Sequence, residues 1–145
     1  MPTRFAGLGV AFQYPENWVL DEEEAVVGRA SVTVYSPGGG FWSVAIYSSA
    51  EDPGRLARTA ADVLREEYPD AEAEPTSETV AGYDLVGYDL NFFYLDLIST
   101  ARIRSVCIGR KTYTIYCQAE DGEFAAIARV LEAMTTSLLT EIDRQ

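Results

Sequence analysis

Residues 82–120, GYDLVGYDLNFFYLDLISTARIRSVCIGRKTYTIYCQAE, contain no proline and are dense in aromatic and branched side chains, with turn chemistry only near Asp96 and at Gly109–Lys111. Those two breaks divide the stretch into three long segments of strand character, the pattern of a β-meander. A meander of that length must bury at least one face, so the rest of the chain has to supply a cover for it. On its first segment Val86, Tyr88, Leu90, Phe92 and Tyr94 share one side, with Asp89 and Asn91 on the other. Arg102 and Arg104 share a side of the second segment, and Tyr113, Ile115 and Cys117 of the third. Cross-strand pairing of Asp89 with Arg102 or Arg104 would satisfy the polar side.

Two segments have the period of a covering helix. From Pro53 to Tyr68, apolar residues fall at Leu56, Ala57, Ala60, Ala61, Leu64 and Tyr68, with Asp52 as N-cap, Pro53 at the first helical position and Pro69 as the stop. From about Glu123 to Leu139, Phe124, Ile127, Ala128, Leu131, Met134 and Leu138 form a second stripe, and the preceding EDGE run places carboxylates at the positive helix end. Between the first helix and the meander, DAEAEPTSE (70–78) reads as a polar loop that enters a strand around Glu78–Val80.

The first fifty residues read as strands. Val10, Phe12 and Tyr14 alternate with Ala11 and Gln13 until Pro15 ends the ladder. Glu16 and Asn17 make the corner, and Trp18 folds back as a lid on the apolar layer. DEEE (21–24) reads as a solvated connection, AVVGRASVTVYS as a hairpin turning near Gly28 and Arg29, and PGGG (37–40) as a further turn. FWSVAIYSS (41–49) is apolar on both alternations, which predicts a central strand covered on both faces. The order is strands, helix, strands, helix, without repeats or a long linker. The expectation is one α+β domain over residues 1–145, an antiparallel β-sheet flanked by two main α-helices.

Composition narrows the chemistry. With 11 basic against 23 acidic residues the net charge is -12, a field that repels a phosphate backbone, so no nucleic-acid partner is expected. No run approaches a membrane span, and MPTRFAGLGVAF lacks the apolar core of a secretory signal, so the expected location is cytoplasmic. The absence of histidine removes His-based triads and His-rich metal sites. DEEE lacks the spacing and pivot glycine of a calcium loop, and PGGG lacks the Lys-Ser or Lys-Thr of a phosphate loop. Cys107 and Cys117 flank the 109–111 turn. A turn there sets Cys107 near Tyr113 or Thr114 and Cys117 near Ile103 or Arg104, too far apart for a disulfide, so both are expected as free thiols. No catalytic, cofactor-binding or metal-binding residue is read from the chain.

Tyr14-Pro15-x-x-Trp18, the helix after the early strands, the Gly82-centred turn within VAGYDLVGYDL and the closing helix together resemble the PsbP-like group. That group includes the extrinsic photosystem II subunit, Mog-type Ran-binding proteins and bacterial families with secretion-effector chaperones. The resemblance spans nearly the whole chain and rests on fold-defining positions. It implies an antiparallel sheet sandwiched by helices and a role in binding or assembly, and it transfers no catalytic or ligand residue. The chain departs from the photosystem subunit in showing no transit or signal segment, which makes a cytoplasmic chaperone or adaptor the nearer analogy.

One feature exceeds structural need. In NFFYLDL (91–97) Phe93 shares the side of Asp89 and Asn91 while Phe92 and Tyr94 share the apolar side, so both faces of the strand end are apolar. As plain structure this is core with an edge cap. As function, Phe93 with Trp42 or Tyr116, framed by Arg102 and Arg104, forms a surface for an apolar peptide, a helix or another copy of the chain. The reading is a non-enzymatic protein-binding module: a chaperone, adaptor or assembly factor. The alternatives are a small-molecule carrier or carboxylate-based small enzyme, and a self-associating structural protein.

Overall fold

The computed structural model describes residues 2–26 and 28–142. Among them are nine strands and two helices: β1 (Pro2–Gly7), β2 (Val10–Pro15), β3 (Val19–Val26), β4 (Arg29–Tyr35), β5 (Phe41–Tyr47), α1 (Pro53–Glu67), β6 (Glu72–Val80), β7 (Tyr83–Tyr94), β8 (Leu97–Ile108), β9 (Lys111–Glu120) and α2 (Asp121–Ile142). Strands β3 to β9 form a seven-stranded sheet in the order β3-β4-β5-β9-β8-β7-β6, every pair antiparallel. The hairpin β1-β2 is a separate two-stranded sheet. The predicted α+β class, with an antiparallel sheet between two helices, is the architecture observed.

α2 and the β1-β2 hairpin cover one face. Val32, Val34, Trp42, Val44, Ile46, Ile115 and Cys117 rise from this face to meet Leu131, Met134, Leu138 and Leu139 of α2, with Phe5, Phe12 and Trp18 closing the same core. Trp42 lies 4.7 Å from the Phe12 ring and donates from Nε1 to Thr135 Oγ1 at 3.1 Å, so the indole's one polar atom is satisfied. Trp18 N donates to Pro15 O at 3.0 Å, the tight corner that tucks the ring inward. Glu120 begins α2 by accepting from Gly122 N and Glu123 N.

α1 covers part of the other face. Asp52 Oδ1 accepts from Gly54 N and Arg55 N, and Pro53 opens the helix, as the sequence requires. The contact residues Ala57 and Ala61 are small, so the helix sits close over Leu90, Phe92, Ala101 and Ile103. That core lies under β7 and β8, whereas β4 and β5 have no helix over them on this side.

Three expectations are corrected. DEEE is not a connection: Asp21, Glu22 and Glu23 lie in β3, paired with Thr33, Val32 and Ser31. The first strand of the predicted 25–36 hairpin includes Val27, which lies outside the described residues. DAEAEPTSE is not a loop, since Glu72–Val80 pairs residue for residue with β7. Both are edge strands, where carboxylates and Pro75 are tolerated because one side of the ladder faces water. β5 is the expected interior strand, but only its α2-side face is buried; Phe41, Ser43, Ala45 and Tyr47 on the other face are half-buried. Smaller shifts follow: Leu85 is fully buried although Val86 was counted in the apolar set, and the cysteines pair with Thr112 and Arg102.

β7 and β8 approach so closely at Gly87 that an added Cβ would lie 1.7 Å from the Ile103 carbonyl oxygen. Gly87→Ala should therefore lower the unfolding free energy by about 2–4 kcal/mol, measured by urea titration. A loss below about 0.5 kcal/mol would show that the strands can separate at no cost.

Candidate functional site

The sequence-predicted surface residues do not meet. Trp42 is 0% exposed and belongs to the α2-side core. Arg104 is also buried: its Nε donates to Glu78 Oε2 at 2.9 Å, and Nη1 donates to the carbonyls of Ile103 and Tyr88 at 3.0 and 3.3 Å. Nη2 lies 2.8 Å from Asp89 Oδ1, an ion pair without hydrogen-bond alignment. Arg104 thus joins β6, β7 and β8, and the expected Asp89 pairing exists as an internal tie. Arg102 lies over the Phe124 ring at 4.8 Å, with Nη1 3.5 Å from Glu132, on the same α2 side. Tyr116 emerges on the opposite face, paired between Ser43 and Ile103. Phe93 stands apart at the tip of the β7-β8 hairpin.

Among the described residues, that tip gathers most of the exposed large apolar side chains. Phe93 is 66%, Leu95 77% and Leu97 53% exposed, and Tyr94 and Ile98 are exposed beside them. Register explains why both sides of the ribbon are apolar. Phe93 pairs with Ile98 on the α2 side and Tyr94 with Leu97 on the α1 side, where α1 reaches Tyr94 only through its C-cap residue Tyr68, edge-on at 6.1 Å. Phe92, one residue inward, is core and stacks on Tyr68 at 4.5 Å. The stretch 92–94 is therefore split between core and surface.

The turn sharpens the point. Leu95 and Asp96 have φ of 50° and 63°, the left-handed pair of a two-residue hairpin turn that favours Asn-Gly. Leu8 and Ala81 also take positive φ. Leu8 packs against the main core, and alanine has little side chain to hide. Leu95 has neither justification, being both in a backbone state leucine disfavours and almost wholly in water.

A second uncovered surface adjoins the tip on the α1 side. The row Val19, Tyr35, Phe41, Gln118, Ala101 and Leu90 runs across the sheet, one residue directly opposite the next. α1 covers its last two members and leaves the first four open. Phe41 is flanked by Tyr35 at 6.0 Å and by the stacked Tyr116 at 5.6 Å. Together with Val63, Leu64 and Tyr68 of the α1 side and a floor of Ser43 and Thr114, Phe41 and Tyr116 line a groove of about 610 Å3.

Two titratable groups of the sheet, Tyr116 on the groove side and Cys117 on the α2 side, are held neutral by burial. Burial, then Glu67 and Tyr68, push the Tyr116 phenol well above its ordinary value, and its hydroxyl is spent on Gln118 Oε1 at 2.5 Å. Burial pushes the Cys117 thiol up to about 12. Both cysteines are free, with Cys107 at the turn and half-buried. No group of three or more Asp, Glu or Cys that could hold a metal occurs among the described residues. No helix among them is long and apolar enough to cross a membrane.

Neither a protein-family model nor a curated protein sequence matches the chain. Solved structures do. The PsbP of Synechocystis (CyanoP) superposes with a TM-score of 0.64 at 13% identity, over 94% of this chain and 90% of that one. LpqN of Mycobacterium tuberculosis, involved in cell envelope biogenesis, gives 0.54 at 14% identity, over 92% and 86%. A protein of Bacteroides thetaiotaomicron gives 0.61 at 16% identity over 93% of this chain and 47% of its own, so the present chain spans about half its length. The fold is PsbP-like, as the sequence resemblance implied.

The thiols supply a check. Because burial raises the folded-state pKa of Cys117 above its unfolded value, the neutral thiol's contribution to stability is complete below about pH 9 and is lost as pH climbs toward about 12. At about pH 8 a thiol reagent should modify Cys107 and spare Cys117 until denaturant is added. Cys117→Ala should flatten part of the alkaline fall in stability; prompt modification of both thiols in the native protein would contradict this burial.

Proposed function

We propose that the protein is a non-enzymatic protein-binding module that engages its partner with the apolar end of the sheet, centred on the β7-β8 tip. One observation carries the reading: Leu95 is 77% exposed at a left-handed turn position where neither core packing nor backbone preference calls for leucine. A local rule broken without internal compensation points to contact outside the molecule. Phe93, Tyr94, Leu97 and Ile98 extend that contact, and the ring row ending at Tyr116 provides a shelf beside it. Five large apolar side chains on one short ribbon form the kind of cluster that monomers rarely leave in water. The neutral Tyr116 and Cys117 support binding over catalysis, the net charge of -12 opposes nucleic acid as the partner, and two unpaired thiols suit a reducing cytoplasm.

A photo-crosslinking residue placed at Leu95 should form a discrete adduct with one protein in the native cell. The same residue at Asp62, on exposed α1, should not. Adducts of equal yield at both positions, or none at position 95, would overturn the proposal.

A further inference from the structure

The connections at the tip end of the sheet are acidic, and this bears on what covers the tip. Five connections gather at the tip end: β2 to β3, β4 to β5, α1 to β6, β7 to β8 and β9 to α2. The stretches 15–19, 35–41, 67–72, 94–97 and 120–123 that form them contain Glu16, Glu67, Asp70, Glu72, Asp96 and the Glu120–Glu123 run, and no Lys or Arg. At the other end lie Arg29, Arg55, Arg110 and Lys111, together with Glu51, Asp52 and Asp84, while Arg65 sits in the last turn of α1 next to the tip end. The apolar tip therefore emerges from an acidic collar, whose connecting stretches carry carboxylates and no cation.

Resting on the contact end proposed above, we infer that the tip docks a partner segment which is both apolar and basic, an amphipathic stretch whose Leu-type side chains meet Phe93, Leu95 and Leu97 while its Lys or Arg side chains meet the collar. Charge complementarity selects this occupant. A second copy would bring collar against collar at a net charge of -12 each, and an anionic lipid surface would meet the same repulsion. The edges of the seven-stranded sheet disfavour self-pairing, because β3 carries Asp21, Glu22 and Glu23 and β6 carries Glu72, Glu74 and Pro75.

The test uses the whole chain and three synthetic peptides of about 18 residues patterned as helices: Leu/Lys, Leu/Glu and Ser/Lys. The Leu/Lys peptide should bind, weaken when NaCl rises from about 50 to about 500 mM, and lose about tenfold in affinity when Asp70→Asn, Glu72→Gln and Asp96→Asn are combined. The same number of neutralisations at mid-sheet or on α1, Glu22→Gln, Glu74→Gln and Asp62→Asn, should change affinity less than about twofold. Phe93→Ser with Leu95→Ser should also abolish binding. Equal binding of Leu/Lys and Leu/Glu would overturn the basic-partner inference while leaving the contact end intact. Equal effects of the two neutralised triples, or binding of Ser/Lys as tight as Leu/Lys, would reduce it to non-specific attraction. Concentration-dependent dimerisation through the tip, or partition into phosphatidylcholine vesicles in preference to the Leu/Lys peptide, would replace it with a second copy or a membrane. Failure of every peptide alongside a position-95 adduct would sink this inference and spare the binding reading.

Discussion

A residue advances about 1.5 Å along a helix and about 3.3 Å along a strand, and that difference governs what this chain can cover. The twelve-residue strands β7 and β8 extend about 40 Å, whereas the fifteen-residue α1 spans about 22 Å. Even well placed, α1 must leave one end of the hairpin bare. Laterally the limit is similar, because a helix about 10 Å across spans about two strands at a spacing of about 4.8 Å. α1 sits over β7 and β8, so the outer side of β4 and β5 stays open. On the opposite face the longer α2 and the β1-β2 hairpin share the work, and the main core lies there.

The open surface has consequences the sequence manages in different ways. Along β4 and β5 the middle of the open side carries hydroxyls and small residues, Ser31, Thr33, Ser43 and Ala45, which tolerate water, with Arg29 and Tyr47 at one end and Tyr35 and Phe41 at the other. The two edge strands carry carboxylates, and Arg104 anchors the outer strand β6 through Glu78 while reaching Asp89 on β7. At the hairpin tip no such accommodation is made: the side chains grow larger and more apolar where cover is least. This contrast, between edges protected with charge and a tip left apolar, separates cohesion from contact in the molecule.

The parts of this fold that bury one face were legible in the sequence. The meander, both helices with their caps, and the PGGG turn follow from periodicity and turn chemistry, because burial imposes those patterns. Of β6 only the end around Glu78–Val80 was legible, and the DEEE part of β3 was not, for the same reason. As edge strands they bury little, so Glu72, Glu74 and Glu78 carry no alternation that distinguishes a strand from a solvated loop. β1 also escaped notice, its single buried residue being Phe5. The site was half legible. NFFYLDL announced an excess of rings, and Phe93 is where that excess meets water. Which partner residues gather around it depended on strand order and face parity, which spacing along the chain does not encode. So Trp42 and Arg104 proved internal, and Tyr116 faced the other way. The signal that could have found the tip was Leu95 next to Asp96, a leucine at the position where a two-residue turn favours asparagine.

If the tip serves contact and not cohesion, the domain should not need it. The most direct measurement is the unfolding free energy of a chain in which Phe93–Ile98 is replaced by Asn-Gly, closing the hairpin at the Phe92–Ser99 pair. Register is preserved, since two residue pairs are removed and the turn remains two residues long. The account predicts stability within about 1 kcal/mol of wild type, the lost Tyr94–Tyr68 contact being offset by a turn whose residues favour positive φ. A loss greater than about 3 kcal/mol would place the tip among the elements that hold the fold together and contradict the account.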